Sequence, residues 1–268
     1  MYQPRVYRHW VKDKDLTPFN VVVKETDLYI RATTNLEQKA LKLVTKYRDL
    51  LERYIERHLS FLTSLEPIAV ENNAPAIVTG MAEAARKAGV GPMAAVAGAI
   101  AEFVGRELLA LSPEVIVENG GDIYLKSLKE RLIGIYAGQS PLTGKVALEI
   151  KGGETPMGIC TSSGTVGHSL SFGKADAVVV LSKSATLADA AATAIGNLII
   201  QPGDIPLGIE FAQRIDGVRG VIIIKDDKMG LWGEVKLRPT SIRKGGRNGK
   251  TTSNVHLSTQ GKLRANYL

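Results

Sequence analysis

The order of hydrophobic segments predicts an α+β protein in which an antiparallel sheet is covered by helices. Three observations carry this expectation. Short apolar runs come in pairs separated by turn residues, and helical periodicity fills the stretches between the pairs. The order hairpin–helices–hairpin also occurs twice, in rough copy. A parallel sheet would instead show regular strand–helix alternation.

Val21–Val23 and Leu28–Ala32 form the first pair, around a turn at Lys24–Asp27. Asn35 and Gln38 have the spacing of a capping box. Behind them Leu36, Ala40, Val44, Tyr47, Leu51, Tyr54, Ile55 and Leu59 recur at helical spacing. A second helix is predicted from Ala74 to Ala88, stopped by Gly89-Val90-Gly91-Pro92. Pro92 suits the first position of a third helix reaching about Leu111. Gly98 and Gly105 lie inside that third helix, where each glycine costs roughly 1 kcal/mol against alanine. Two of them imply close approach by another backbone or a ligand. Strands follow at Val115–Glu118, Ile123–Leu125, Arg131–Tyr136, Val146–Ile150 and Ala177–Leu181. A helix from about Thr186 to Leu198 and a short one near Leu207–Ile215 come next. A closing hairpin of Gly220–Lys225 with Leu231–Leu237 ends the pattern.

At 268 residues, 44% hydrophobic and 23% charged, the composition is that of a globular protein. Residues 1–239 read as one body and residues 240–268 as a basic, disordered tail. The net charge of +7 is concentrated in that tail, which has six Lys or Arg and no acid. Neither zinc-finger spacing nor an RNA-binding aromatic signature accompanies it, so a solvated tail is preferred over nucleic-acid binding. The longest small-apolar run, Pro92–Ala101, is about half of what a bilayer requires, so no membrane partner is expected. The N-terminus lacks an apolar leader region, and the lone cysteine admits no intrachain disulfide. A reduced, cytoplasmic protein is the expectation. The oligomeric state is left open, a homo-oligomer included.

Three stretches carry chemistry. Asn119-Gly120-Gly121-Asp122 lies between two strands and is good turn chemistry. Cys160-Thr161-Ser162-Ser163-Gly164 reads as a polar loop after a strand, whose amides and hydroxyls could cradle phosphate oxygens or make an irregular turn. In Leu187–Asn197, Asp189 and Thr193 are four apart and share a helical face. They could offer a carboxylate and a hydroxyl to Mg²⁺. Thr186-x-x-Asp189 also fits a helix start, with Asp189 favoured there by the dipole.

In order and spacing, these stretches resemble the ApbE-like superfamily, whose best-known members are FAD:protein FMN transferases. That superfamily has a GGIAKGY-type helix, a GGD turn, a TSG loop and a helix carrying ADALATA. Gly98-Ala99-Ile100-Ala101, Gly120-Gly121-Asp122, Thr161-Ser162-Ser163-Gly164 and Ala188–Ala194 stand in those places here. The similarity runs from about Ala74 to Asn197, and its details resemble a branch apart from the flavin transferases, of the UPF0280 type. The resemblance implies a duplicated T-fold-like α+β fold. It makes Asp189 and Thr193 metal ligands, and makes Asn119, Gly120, Gly121, Asp122, Thr161, Ser162, Ser163 and Gly164 a site for FAD or another nucleotide. A protein acceptor for transfer is implied as well. Two departures stand out. The motif's lysine is Glu102 here, an anion where phosphates want a cation. The transferases' His-rich stretch is reduced to His168.

Cys160 and His168 share one loop and are the catalytic candidates. Cys160 reads either as an inert buried side chain or as a thiol whose pKa is lowered by loop amides. His168 reads as a strand-end residue or a general base toward a phosphoester. Three functional readings follow. One is a metal-assisted flavin or nucleotide pocket, either transferase-like or a binder that has lost transfer. The second is a sulfur-assimilation accessory protein using Cys160 as a thiol or persulfide carrier. The third is nucleic-acid association through the tail.

Overall fold

The computed structural model describes residues 15–166 and 171–240. Eleven strands and six α-helices are formed among them. The first hairpin joins β1 (Thr17–Val23) to β2 (Thr26–Ala32). Then come α1 (Glu37–Arg57), α2 (Leu59–Thr63), α3 (Ala76–Ala88) and α4 (Val96–Leu108). The second hairpin is β3 (Val115–Asn119) with β4 (Asp122–Lys126). β5 (Arg131–Gly134) and β6 (Val146–Ile150) form a separate pair. β7 (Met157–Ser162) pairs with β8 (Ala177–Ser182), followed by α5 (Ala185–Leu198) and α6 (Ile205–Arg214). β9 (Val218–Lys225), β10 (Lys228–Gly233) and β11 (Leu237–Pro239) complete the chain.

The main sheet has eight strands in the order β1-β2-β3-β4-β7-β8-β9-β10, every neighbour antiparallel. Its two four-stranded halves meet at β4–β7, and each half runs hairpin, helices, hairpin as the sequence predicts. β5, β6 and β11 form a second, three-stranded sheet.

Strand periodicity of two sorts the core into two layers. Val115, Val117, Tyr124, Cys160, Val178, Val180, Val221 and Ile223 face the helices. Ile116, Ile123, Leu125, Ile159, Val179, Leu181, Ile222 and Ile224 face the small sheet, packing with Ile133, Leu148 and Ile150. On α1, Ala40, Leu43, Val44, Tyr47, Leu51 and Tyr54 are the buried stripe.

Several expectations are corrected. Asn35 Oδ1 accepts from the Glu37 amide at 2.9 Å, so α1 opens on a local Asx contact instead of a capping box with Gln38. The third helix is a 3₁₀ turn (Pro92–Ala95) leading into α4. The closing hairpin is tighter than expected, ending at Gly233, and residues 237–239 leave it to pair with β6. Cys160, Thr161 and Ser162 belong to β7 and not to a loop. Thr240, placed in the tail by composition, still donates its amide to Lys145 O at 2.8 Å; residues 241–268 lie outside the described residues. No single helix among those described is long and apolar enough to cross a membrane.

Candidate functional site

Four pieces of chain converge where the two halves of the main sheet join: the β3–β4 turn, the end of β7, the first turn of α4 and the first half of α5. The β3–β4 turn needs both its glycines. Gly120 (φ 69°) and Gly121 (φ 112°) occupy positive φ, the backbone of a tight hairpin turn closed by the Asn119–Asp122 pair. Gly121 N–H donates to Glu118 Oε1 at 3.0 Å. Asn119 Nδ2 reaches across to Ala97 O in α4 at 3.1 Å. Asp122 Oδ1 accepts from Thr161 N at 3.2 Å, tying the turn to β7.

Helices α4 and α5 touch through glycine. A Cβ at Gly98 would overlap Ala185 O and lie 2.7 Å from Asp189 Cβ, so the close approach expected of Gly98 is to the backbone of α5. Gly105 is instead covered by the Tyr124 ring. At this contact each helix start is held by a carboxylate from the other. Asp189 Oδ2 accepts from Gly98 N at 2.8 Å, in the first turn of α4. Glu102 Oε2 accepts from Thr186 N (2.9 Å), Thr186 Oγ1 (2.9 Å) and Ser184 Oγ (2.8 Å), at the start of α5. Its other oxygen pairs with Arg106.

Two sequence expectations change accordingly. Asp189 does not cap its own helix: Ser184 is the N-cap, accepting from Leu187 N at 3.2 Å, and Asp189 lies too deep in α5 for that role. Glu102 is 2% exposed and is spent on the Thr186 amide and the Ser184 and Thr186 hydroxyls at the start of α5, so it is not an anion set against phosphates.

Asp189 and Asp122 are both buried and neither forms an ion pair among the described residues. Burial pushes Asp189 up to about 7, even though the Gly98 and Ala97 amides favour its ionised form. Burial, and then the charge of Asp189, hold Asp122 well above the usual carboxylate range. Two like charges in one dry place resist joint ionisation.

Cys160 lies fully buried beside them, its thiol donating to Ala185 O at 3.2 Å. Burial, reinforced by the charges of Asp122 and Asp189, pushes the thiol pKa well up. The lowered pKa expected from sequence is thus reversed, because the sulfur is buried and two carboxylates stand where amides were expected. A thiolate is disfavoured twice over, which argues against Cys160 as a sulfur carrier.

The remaining candidates divide. Thr161 and Ser162 are half-buried at the end of β7, and Ser162 packs against Gly196 of α5. Thr193 is half-buried one turn beyond Asp189 on the same helix. Ser163 Oγ accepts from the amides of Thr165 (3.2 Å) and Val166 (3.1 Å), and Gly164 N–H donates to Ala175 O. Those two residues are therefore engaged in holding their own loop. His168 lies outside the described residues.

No group of three or more His, Cys, Asp or Glu among the described residues is arranged around a metal. The donor set still suits one kind of ion. Mg²⁺ is commonly held by one or two carboxylates together with substrate phosphates. Asp122 and Asp189 supply two carboxylates that lack a counter-charge, with the Thr193 hydroxyl one turn along.

Residues 8–216 match the family described as AbpE bacteria. A UPF0280 protein of Methanocaldococcus jannaschii is 44% identical over 221 residues, 80% of this chain and 90% of that protein. One from Methanopyrus kandleri is 42% identical over 231 residues, 83% of this chain and 91% of that protein. Among solved structures, the apo flavinyl transferase ApbE of Pseudomonas stutzeri superposes with TM-score 0.52 at 13% identity, over 81% of this chain and 94% of that one. A mutant of the flavin transferase ApbE of Vibrio cholerae gives 0.50 at 16% identity, over 84% and 97%. At these identities the superpositions speak to the fold.

Proposed function

Because the chain belongs to the AbpE bacteria family, we propose that it binds FAD or another adenine nucleotide, together with a divalent cation, in a transferase-like reaction. The observation that carries this reading is the pair of buried carboxylates, Asp122 and Asp189, each raised in pKa and lacking a cationic partner among the described residues. Buried charge left without a partner is costly, and a bound cation removes that cost.

In this reading Asp189, Asp122 and Thr193 hold Mg²⁺, and Asn119, Gly120, Gly121, Thr161 and Ser162 line the nucleotide. Ser163 and Gly164 act by fixing the loop that follows. A cation held there would offset pyrophosphate charge and polarise the phosphoryl group to be transferred. The chain's own part is positioning. The glycine turn admits a ligand close to backbone, the α4–α5 contact positions Asp189 against Gly98, and the Thr161 amide of β7 positions Asp122. Transfer to an acceptor, protein or small molecule, needs a base, and His168 is the residue the sequence offers for it.

Calorimetry with FAD, FMN and ADP, each with and without Mg²⁺, tests this. Mg²⁺-dependent binding of FAD that weakens at least tenfold in Asp189→Asn is the expected result. No binding of any of the three at millimolar ligand would leave the likeness as one of fold alone.

A further inference from the structure

Helices α4 and α5 run antiparallel where they touch, with Gly98 at Asp189 and Glu102 at Thr186. The cover that α4 gives to α5 stops near Asp189, because α4 begins only at Val96. Between Ala185 and Gly196 every residue of α5 is buried except Thr193, and Asn197 follows half-buried. Asp189, Thr193 and Asn197 stand at i, i+4 and i+8. They form one line along the helix, about 12 Å from end to end.

The polar groups on this line are unspent. The hydroxyls of Thr45, Thr63 and Thr79 bond the carbonyl four residues back in their own helices, and that of Thr186 bonds Glu102. The Thr193 hydroxyl has no partner among the described residues, nor has Ser162 Oγ, which lies against Gly196. Asn197 is fixed at the far end. Its Oδ1 accepts from Phe172 N at 3.0 Å. A backbone N–H can only donate, so the oxygen faces Phe172 and Nδ2 turns away from it. The contact is rigid, since a Cβ at Gly173 would overlap Gly196 O in the last turn of α5. Nδ2 has no partner among the described residues and stays within reach of solvent. Asn197 thus turns a donor, not an acceptor, toward a ligand.

We propose that Asn197 is a specificity residue that reads the carbonyl edge of a flavin ring, with the phosphates at the Asp189 end of the line. The inference rests on the nucleotide reading and adds the direction in which the ligand lies. From the cation the ribityl chain passes Ser162, and a ring carbonyl accepts from Asn197 Nδ2. A span of about 12 Å exceeds the phosphates alone and suits a phosphate joined through a sugar-like chain to a ring. The ring's identity follows from the donor. Flavin presents carbonyl oxygens on its pyrimidine edge, whereas adenine has an amino group and no carbonyl. A site built around one hydrogen bond discriminates strongly against a partner that cannot make it.

The test is calorimetry of FAD, FMN and ADP, each with Mg²⁺, on the full chain and on Asn197→Asp. That substitution keeps an acceptor for the Phe172 amide and replaces the donor by an oxygen that repels a carbonyl. It should weaken FAD and FMN at least tenfold and leave ADP within twofold. Asn197→Ala should weaken both flavins several-fold, and carries the test should Asn197→Asp fail to fold. Equal loss for ADP, or unchanged flavin affinity in a folded variant, would overturn the proposal. A parent chain that binds ADP and neither flavin would overturn it as well. If the parent binds none of the three, this proposal falls together with the nucleotide reading. If the parent binds FAD with Mg²⁺ and is blind to position 197, this proposal falls alone.

Discussion

Glu102 of α4 accepts from the Thr186 amide at the start of α5, and Asp189 of α5 accepts from the Gly98 amide at the start of α4. Each helix start presents amides with no partner inside its own helix, and a positive dipole end that favours a carboxylate. One helix belongs to the first half of the main sheet and one to the second, so this exchange fastens the halves where β4 meets β7.

Removing one arm of the exchange should be costly. Glu102→Ala strands the Thr186 amide and the Ser184 and Thr186 hydroxyls in a buried place, at about 2–4 kcal/mol. Glu102→Gln keeps an acceptor and should lose about half as much. Thermal or urea denaturation checks both, and a Glu102→Ala protein as stable as the parent would show that the exchange holds nothing.

The other arm makes stability depend on pH. Asp189 titrates near 7 in the folded chain, against about 3.9 for a free aspartate. A raised folded value favours the protonated form. Its stabilising contribution is therefore complete below about pH 4 and is lost as the pH rises through 7. In chelator, the metal-free protein should lose stability on the order of a few kcal/mol between about pH 5 and pH 8. Asp189→Asn should flatten that slope, read as urea midpoints at the two pH values. A parent protein equally stable at both would remove the buried-acid argument.

Gly98→Ala tests the contact itself. The added Cβ would overlap Ala185 O and crowd Asp189, neither of which can swing away as a flexible side-chain tip would. Overpacking of this kind costs about 1–3 kcal/mol. Cation-dependent nucleotide affinity should fall with it, because Asp189 must shift. A melt and a titration on the same variant measure both, and Gly153→Ala, where an added Cβ has open space, is the control.

Cys160 should behave as a buried thiol. Alkylation of the native chain is expected to be slow at neutral pH and to become fast only in denaturant, followed by mass spectrometry. Cys160→Ala should keep nucleotide binding and cost roughly 1–2 kcal/mol for the small space left behind. Rapid modification of the native chain would contradict the burial and the raised pKa together.

The hairpin–helices–hairpin order was legible because β-branched pairs and helical periodicity are local signals. Gly98 was legible as a site of close approach because a helix interior otherwise disfavours glycine. What escaped depended on partners distant in sequence. Cys160–Gly164 reads as a polar loop, yet Cys160, Thr161 and Ser162 belong to a central strand, on whose backbone Gly158 lets Ala185 of α5 pack directly. Thr186-x-x-Asp189 matched a start signal, while the real cap, Ser184, stood two residues earlier. Glu102 looked like a lost lysine until α5 was seen to begin against it. The upward Cys160 shift comes first from burial and then from two carboxylates on other elements, neither of which a local pattern shows. The order of the four motifs was the most informative signal for the site, since each piece alone is ordinary turn or helix chemistry.

The return of β11 to β6 has a consequence for how the chain is made. Residues 237–239 cover the outer edge of a strand synthesised some ninety residues earlier, adding the bond from Glu149 N to Lys236 O and the pairing of Arg238 with Glu149. During synthesis β6 therefore waits with open amides and carbonyls until nearly the whole body has left the ribosome. An edge of that kind invites pairing with another nascent chain. A chain cut just before Leu237 would keep both carboxylates and both helix starts, and would still carry that edge into every encounter with its neighbours.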